Sequence, residues 1–160
     1  MTTPTIDVIK HTICNLQGSF DFELLVPMIY GCPVHKGTIA SIYDAKGQSQ
    51  RKNTEDDVKD STHKKGVYAL YYEGELKKIG QAADSKSGIF HRMSQYYRQI
   101  DGSSKYITKH NRDSISVLYF NLETSKDCWA AERFLQAIAF YMGESMPWEE
   151  KGRHSKGDKQ

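Results

Sequence analysis

The stretch Gly66 to Gly80, GVYALYYEGELKKIG, constrains the chain more tightly than any other. Val67, Tyr68, Leu70, Tyr71 and Tyr72 favour an extended backbone, because β-branched and aromatic side chains fit a pleated, half-buried surface. Glu73-Gly74 interrupts this run before a second one, Leu76 to Ile79, so the segment predicts a β-hairpin. A Gly-Val-Tyr triplet opens the first strand and a Lys-Ile-Gly triplet closes the second. This order is expected to set Tyr68 and Lys78 across the ladder from each other, a phenol beside an amine.

With 160 residues, the chain reads as one domain of ordinary size with an N-terminal extension, large enough to bury a core without disulfide or metal staples. Its formal net charge of +2 does not announce a nucleic-acid binder, so a DNA-binding surface has to come from local clustering. Cys14, Cys32 and Cys128 are odd in number and far apart, which argues against a disulfide framework and a zinc site and suits a reducing cytoplasm. No apolar run approaches a membrane span, and the start MTTPTIDVIKH lacks the basic-then-apolar order of a secretion signal. A soluble, cytoplasmic protein is expected.

From Thr5 to Ile29 apolar and polar residues mix without a clean period, read as a short helix followed by a strand. Pro27, Gly31 and Pro33 punctuate, TIASIY (Thr38 to Tyr43) alternates as a short strand, and Asp44 to Gly47 turns. Gln48 to Lys65 is almost wholly hydrophilic and reads as a loop or linker, either simply solvated or touching DNA backbone. Ser85 or Ser87 is placed to cap a helix from about Ile89, with Ile89, Met93, Tyr97 and Ile100 on its buried face. Arg92 and Tyr96 lie one turn apart on the adjoining face. Lys105 to Arg112 is basic and reads as a short second helix, and Ile115 to Asn121 as a buried third strand. Thr124 or Ser125 caps a helix from about Lys126 to Met142, whose core face is Trp129, Leu135, Ile138 and Met142, with Glu132 inside it. The tail from Gly152 is polar and expected to fray.

Gly66-Val67-Tyr68 followed by Lys78-Ile79-Gly80 resembles the paired triplets that name the GIY-YIG nucleases, with Val for Ile in the first and Lys for Tyr in the second. The family expects a helix carrying an arginine and a later helix carrying a metal-binding glutamate. Arg92 in IFHRMSQYY and Glu132 in WAAERFLQ fall in that order, and Tyr96 matches a position where relatives place a tyrosine or histidine on the phosphate. Some restriction enzymes of the family carry lysine at the second triplet. The likeness covers roughly Gly66 to Pro147; many members have an asparagine after the glutamate helix, where this chain has Met146-Pro147-Trp148-Glu149-Glu150. The resemblance implies an α/β (α+β) fold, a small, mainly antiparallel three-stranded sheet flanked by helices. Residues 1–62 then form an N-terminal extension and linker, 63–150 the nuclease-like domain and 151–160 a flexible tail.

Phosphodiester hydrolysis needs an activated water, cations for the non-bridging oxygens and help for the departing oxygen. A phenol beside an ammonium and a metal is eased toward its ionised form, which casts Tyr68 as proton acceptor and Lys78 as its polarising partner. Arg92 offers a planar, always-charged fork for phosphate. Glu132, flanked by Trp129, Ala130, Ala131, Phe134 and Leu135, is costly to bury unless paired or ligating a cation. One carboxylate with waters and substrate oxygens is the usual way to hold one Mg2+ (or Mn2+) per site. Each residue also has a bland reading: Tyr68 and Lys78 as ordinary strand residues, Arg92 and Tyr96 as helix surface, Glu132 as a salt bridge to Arg133 or Lys126. Lys86, Arg98, Lys105, Lys109, His110 and Arg112 surround the arginine helix while acidic residues gather in the 55–60 linker, which permits a basic cleft for double-stranded DNA. The expectation is a restriction-type endonuclease rather than a homing or repair enzyme, dimeric if its target is palindromic. Its rival is a catalytically silent DNA-binding or interaction module with the same fold.

Overall fold

In chain order the elements are α1 (Phe22–Tyr30), β1 (His35–Thr38), α2 (Ile39–Ser49), β2 (Gly66–Tyr72), β3 (Glu75–Ala82), α3 (Gly88–Arg98), β4 (Ser116–Asn121) and α4 (Ser125–Tyr141). They come from a computed structural model that describes residues 20–49, 61–83, 87–99 and 105–149, with the backbone alone for 45–49. Thr5 to Ser19, most of the expected linker, Ser85, Lys86, Ile100 and the tail lie outside the described residues.

The fold is α+β, and its sheet has four strands in the order β1-β4-β2-β3, every neighbouring pair antiparallel. The expected three-stranded sheet is therefore one strand short. The extra strand comes from the N-terminal region, where His35–Thr38 pairs with β4. TIASIY is not that strand: it ends β1 at Thr38 and opens α2, and Asp44 to Gly47 continues the helix instead of turning. Thr38 and Ser41 explain the switch. Thr38 Oγ1 accepts from Ser41 N at 3.0 Å and Ser41 Oγ accepts from Thr38 N at 2.8 Å, a reciprocal cap that starts a helix. Ile39 and Ile42 then fall at i and i+3 on one buried face, a helical spacing that strand alternation would split between two faces.

The strand expected before Ile29 is likewise a helix, α1. Asp21 Oδ1 caps it by accepting from Leu24 N, and Gly31 closes it in the left-handed region at φ 67. Phe22, Leu25 and Val26 are fully buried, and their packing offsets the roughly 3 kcal/mol that an interior proline such as Pro27 costs a helix.

Alternate residues of β2 point into two cores. Val67 and Ala69 face α1 and α4, through Phe22, Leu25, Cys128, Ala131, Leu135 and Ile138. Tyr68 and Leu70 face α2 and α3, through Ile39, Ile42, Ile89, Met93 and Tyr96. The molecule is thus a helix layer, a sheet and a second helix layer. On α3 it is Tyr96, not Tyr97, that is fully buried, while Tyr97 stacks on Tyr43 of α2 with ring centroids 4.0 Å apart. Trp129, expected in the α4 core, is half exposed because Cys128 and Ala131 take that face. Residues 105–114 make turns around Asn111 and no second helix: Asn111 Oδ1 accepts from Thr108 N and its Nδ2 donates to Tyr106 O.

Candidate active site

The β2–β3 hairpin turns on Glu73 and Gly74, both at positive φ (53 and 78), so Tyr72 pairs with Glu75 and Tyr71 with Leu76. Continued without interruption, that register would pair Ala69 with Lys78 and send the amine to the α1/α4 face. A bulge next to Leu70 and Tyr71 moves the register by one residue, so Leu70 pairs with Lys78 and Tyr68 with Gly80. The expected confrontation of Tyr68 and Lys78 is corrected accordingly: they share a face of the sheet but stand diagonally, about 7–8 Å apart along such a ladder. The bulge is what brings Lys78 to the Tyr68 side at all.

Both triplet glycines have a steric reason. A Cβ on Gly80 would collide with Cζ and Oη of Tyr68, and one on Gly66 would collide with the Phe120 carbonyl of β4. The Tyr68 ring therefore lies across β3 in the space that Gly80 leaves open, with its hydroxyl toward the outer edge of the sheet. There the hydroxyl meets Tyr96 of α3: the two oxygens are 2.6 Å apart and the rings sit edge-on at 77°. Arg92, half-buried, precedes Tyr96 by one helical turn.

Glu132 arrives from the other layer. Its helix packs on the Val67/Ala69 face, yet Gln136, one turn beyond Glu132, donates to Ile79 O of β3 at 2.8 Å, which sets α4 along the sheet edge. Glu132 is 8 % exposed, and its charge acts on the Tyr68 phenol. Burial pushes Tyr68 well above the usual tyrosine range; Tyr96 adds to this as a neighbouring phenol and hydrogen-bond partner, Glu132 adds repulsion, and Arg92 pulls the other way. Three of the five expected site residues, Tyr96, Arg92 and Glu132, thus act on the hydroxyl of a fourth, Tyr68. Lys78 does not figure among the groups acting on that phenol. It is 2 % exposed, and among the described residues its side chain makes no ion pair or hydrogen bond.

Three contributors escaped the sequence reading. Gln136 holds α4 to the edge strand, Trp148 N donates to Lys77 O at 3.0 Å, and Glu149 Oε2 accepts from Ile79 N at 3.4 Å. The segment without the family's asparagine is therefore pinned to β3 on either side of Lys78. Glu132 alone, with water and substrate oxygens, fits a magnesium-like ion; among the described residues no group of three or more His, Cys, Asp or Glu is arranged to hold a metal. Burial lifts the Cys128 thiol to about 11. Of the basic cluster, Arg112 stacks on Tyr97 at 3.5 Å and donates to its carbonyl, while Arg98, Lys105, Lys109 and His110 are exposed.

No protein-family model, curated protein or solved structure matches this chain. Among the described residues no helix is long and apolar enough to cross a membrane.

Proposed function

We propose that the protein is a metal-dependent DNA endonuclease of the GIY-YIG kind and of restriction type, hydrolysing phosphodiester bonds in double-stranded DNA. The observation that supports this reading best is that the Tyr68 hydroxyl of β2 meets that of Tyr96 of α3 at 2.6 Å and is acted on by the charges of Arg92 from α3 and Glu132 from α4. Hydrolysis of a phosphodiester asks for that combination: a proton acceptor, a fixed cation for the non-bridging oxygens and an anionic metal ligand.

In this reading Arg92 binds the scissile phosphate through its planar fork, and Lys78 supplies a second, buried cation on the same face of the sheet. One Mg2+ or Mn2+ per site, held by Glu132 with water and substrate oxygens, would neutralise phosphate charge and steady the departing oxygen. Tyr68 keeps its proton at neutral pH, so its basic form is a minority species whose share grows with pH. Tyr96 donates a hydrogen bond to that phenolate or to a phosphate oxygen, as its 2.6 Å contact allows.

The test is incubation of the purified protein with supercoiled plasmid and Mg2+. Nicks or double-strand breaks are expected, and both EDTA and Glu132→Ala should abolish them. A second reading, a silent DNA-binding or interaction module, is favoured by the engagement of the Tyr68 hydroxyl with Tyr96 and its raised pKa. Binding without cleavage, in Mg2+ and in Mn2+ and over many sequences, would select it.

A further inference from the structure

The large apolar side chains that the described residues leave exposed are unevenly placed: all but Tyr106 lie on the helix layer made by α1 and α4. Leu24 and Met28, one turn apart on α1, are 48 % and 53 % exposed, and on α4 Trp129, Phe140 and Tyr141 are 50 %, 51 % and 78 % exposed. At about 200 Å² for a whole aromatic side chain, the three on α4 alone leave roughly 350 Å² in water, and apolar patches of that size are commonly interaction sites. The sequence of α4 organises its outer face. Ala130, Arg133, Ala137 and Phe140, all exposed, succeed one another at steps of three, four and three, which keeps them in one stripe opposite the core residues Cys128, Ala131, Leu135 and Ile138. Trp129 and Tyr141 flank that stripe on its two sides.

We infer that this stripe is the interface with a second copy of the chain, the two α4 helices running antiparallel about a twofold axis level with Leu135. The residue order is self-complementary in that arrangement. Positions equidistant from Leu135 face each other, so Phe140 meets Ala130 of the partner subunit and Arg133 meets Ala137 of the partner subunit, and each large side chain is set against a small one. Arg133 can lay its aliphatic stem over that alanine and keep its guanidinium in water. A parallel pair would instead oppose phenylalanine to phenylalanine and arginine to arginine, crowding one layer and repelling in another. The area suits a second copy as well. With Leu24, Met28 and the arginine stem added to the aromatic residues, the face approaches the roughly 600 Å² per partner at which specific interfaces begin, which points to a dimer that forms in the micromolar range. The purpose of the pairing rests on the nuclease reading, since a palindromic target is cut on both strands by two active sites related by a twofold axis.

Sedimentation of the full chain in EDTA, without DNA, measures the pairing, and the wild type should dimerise in a concentration-dependent way. Ala137 is exposed, so either charge can be placed there without disturbing the core, and thermal melts check that the fold is kept. Ala137→Arg opposes Arg133 of the partner subunit and should weaken the dimer at least about tenfold, whereas Ala137→Glu meets the same arginine and should hold it at least as tightly as wild type. The register has its own readout: under mild oxidation a mixture of Arg133→Cys and Ala137→Cys proteins should form disulfide-linked dimers faster than either protein alone. A wild type that stays monomeric up to about 100 µM, or equal dimerisation of Ala137→Arg and Ala137→Glu, would overturn the interface, whatever else then covers the face. Plasmid cutting by such a monomer would sink the interface alone, whereas a dimer with this pattern of variants that never cuts would sink the nuclease reading alone.

Discussion

Gly80 and Tyr68 occupy one volume between them, so each can be tested through the other. The phenol is 1 % exposed and has no open space to swing into, and a methyl at Gly80 would meet its Cζ and Oη. Gly80→Ala should therefore break the 2.6 Å contact with Tyr96 and cost about 1–3 kcal/mol of overpacking, a loss of several degrees in Tm. Cleavage should fall far more, on the order of 100-fold, because a misplaced reacting group is more damaging than a strained one. Thermal melts and initial rates on the same preparation separate the two, and a Tm loss with unchanged cleavage would remove Tyr68 from the chemistry. The raised Tyr68 pKa gives a second expectation. Below that pKa the basic form grows tenfold per pH unit, so kcat/KM should rise with pH from 7 to 9 at a slope near one. A flat profile would mean that the phenol is not the acceptor. The identity of these residues was legible in the sequence, but their facing was not. Lys77 and Lys78 are a doublet, and which of them shares the Tyr68 face depends on a bulge that no alternation pattern encodes.

Among the elements, β3 is one of the two edge strands of the sheet, and an edge strand invites unwanted pairing unless it is covered. Here the cover is made of unlike parts. Gln136 of α4 takes the Ile79 carbonyl, Glu149 takes the Ile79 amide and the Trp148 amide takes the Lys77 carbonyl. Met146, buried at φ 42, bends the chain back after α4 so that this strap reaches the strand. Trp148→Ala would remove a nearly buried ring from between Tyr72 and Tyr106 and loosen the strap. The expected cost is about 3–5 kcal/mol, read in urea titrations as a lower midpoint with unchanged slope. Proteolysis near Pro147 in a variant of wild-type midpoint would count against that role. The hairpin, β4, α3 and α4 could be read from periodicity because each buries a regular face. α1 and α2 could not, since the interior Pro27 of α1 reads as a break and α2 opens on a short β-branched run in which Ile39 and Ile42 alone carry the helical spacing. The strap carries almost no pattern: its bonds are made by backbone and one carboxylate, groups that any sequence offers.

For the molecule as a whole, the N-terminal region helps to build both cores, with Phe22, Leu25 and Val26 in one and Ile39 and Ile42 in the other, and β1 extends the sheet beyond β4. Both cores also bury phenols, which makes stability depend on pH in the alkaline range. Burial, first of all, lifts Tyr71 from 10 to about 12 and holds Tyr30, Tyr68 and Tyr119 above their usual range as well. Below pH 10 the folded and unfolded chains both keep these protons, and their contribution does not change. Above it the unfolded chain releases them while the folded chain retains them, so stability falls as pH rises toward and through the folded values. Each such tyrosine contributes a slope of up to about 1.4 kcal/mol per pH unit within its window. Tm measured at constant ionic strength should be level from pH 8 to near 10 and then drop steeply, and the drop should be reversible on return to pH 8. Tyr71→Phe forfeits the 3.4 Å bond from Phe22 N, which lowers Tm at pH 8, but it also removes one titrating group. Its Tm should therefore decline less between pH 10 and 12 than that of the wild type. Equal declines would mean that the partly buried Tyr71 gives up its proton as readily in the fold as in the open chain, and that the alkaline limit is set by the phenols packed deeper on either side of the sheet.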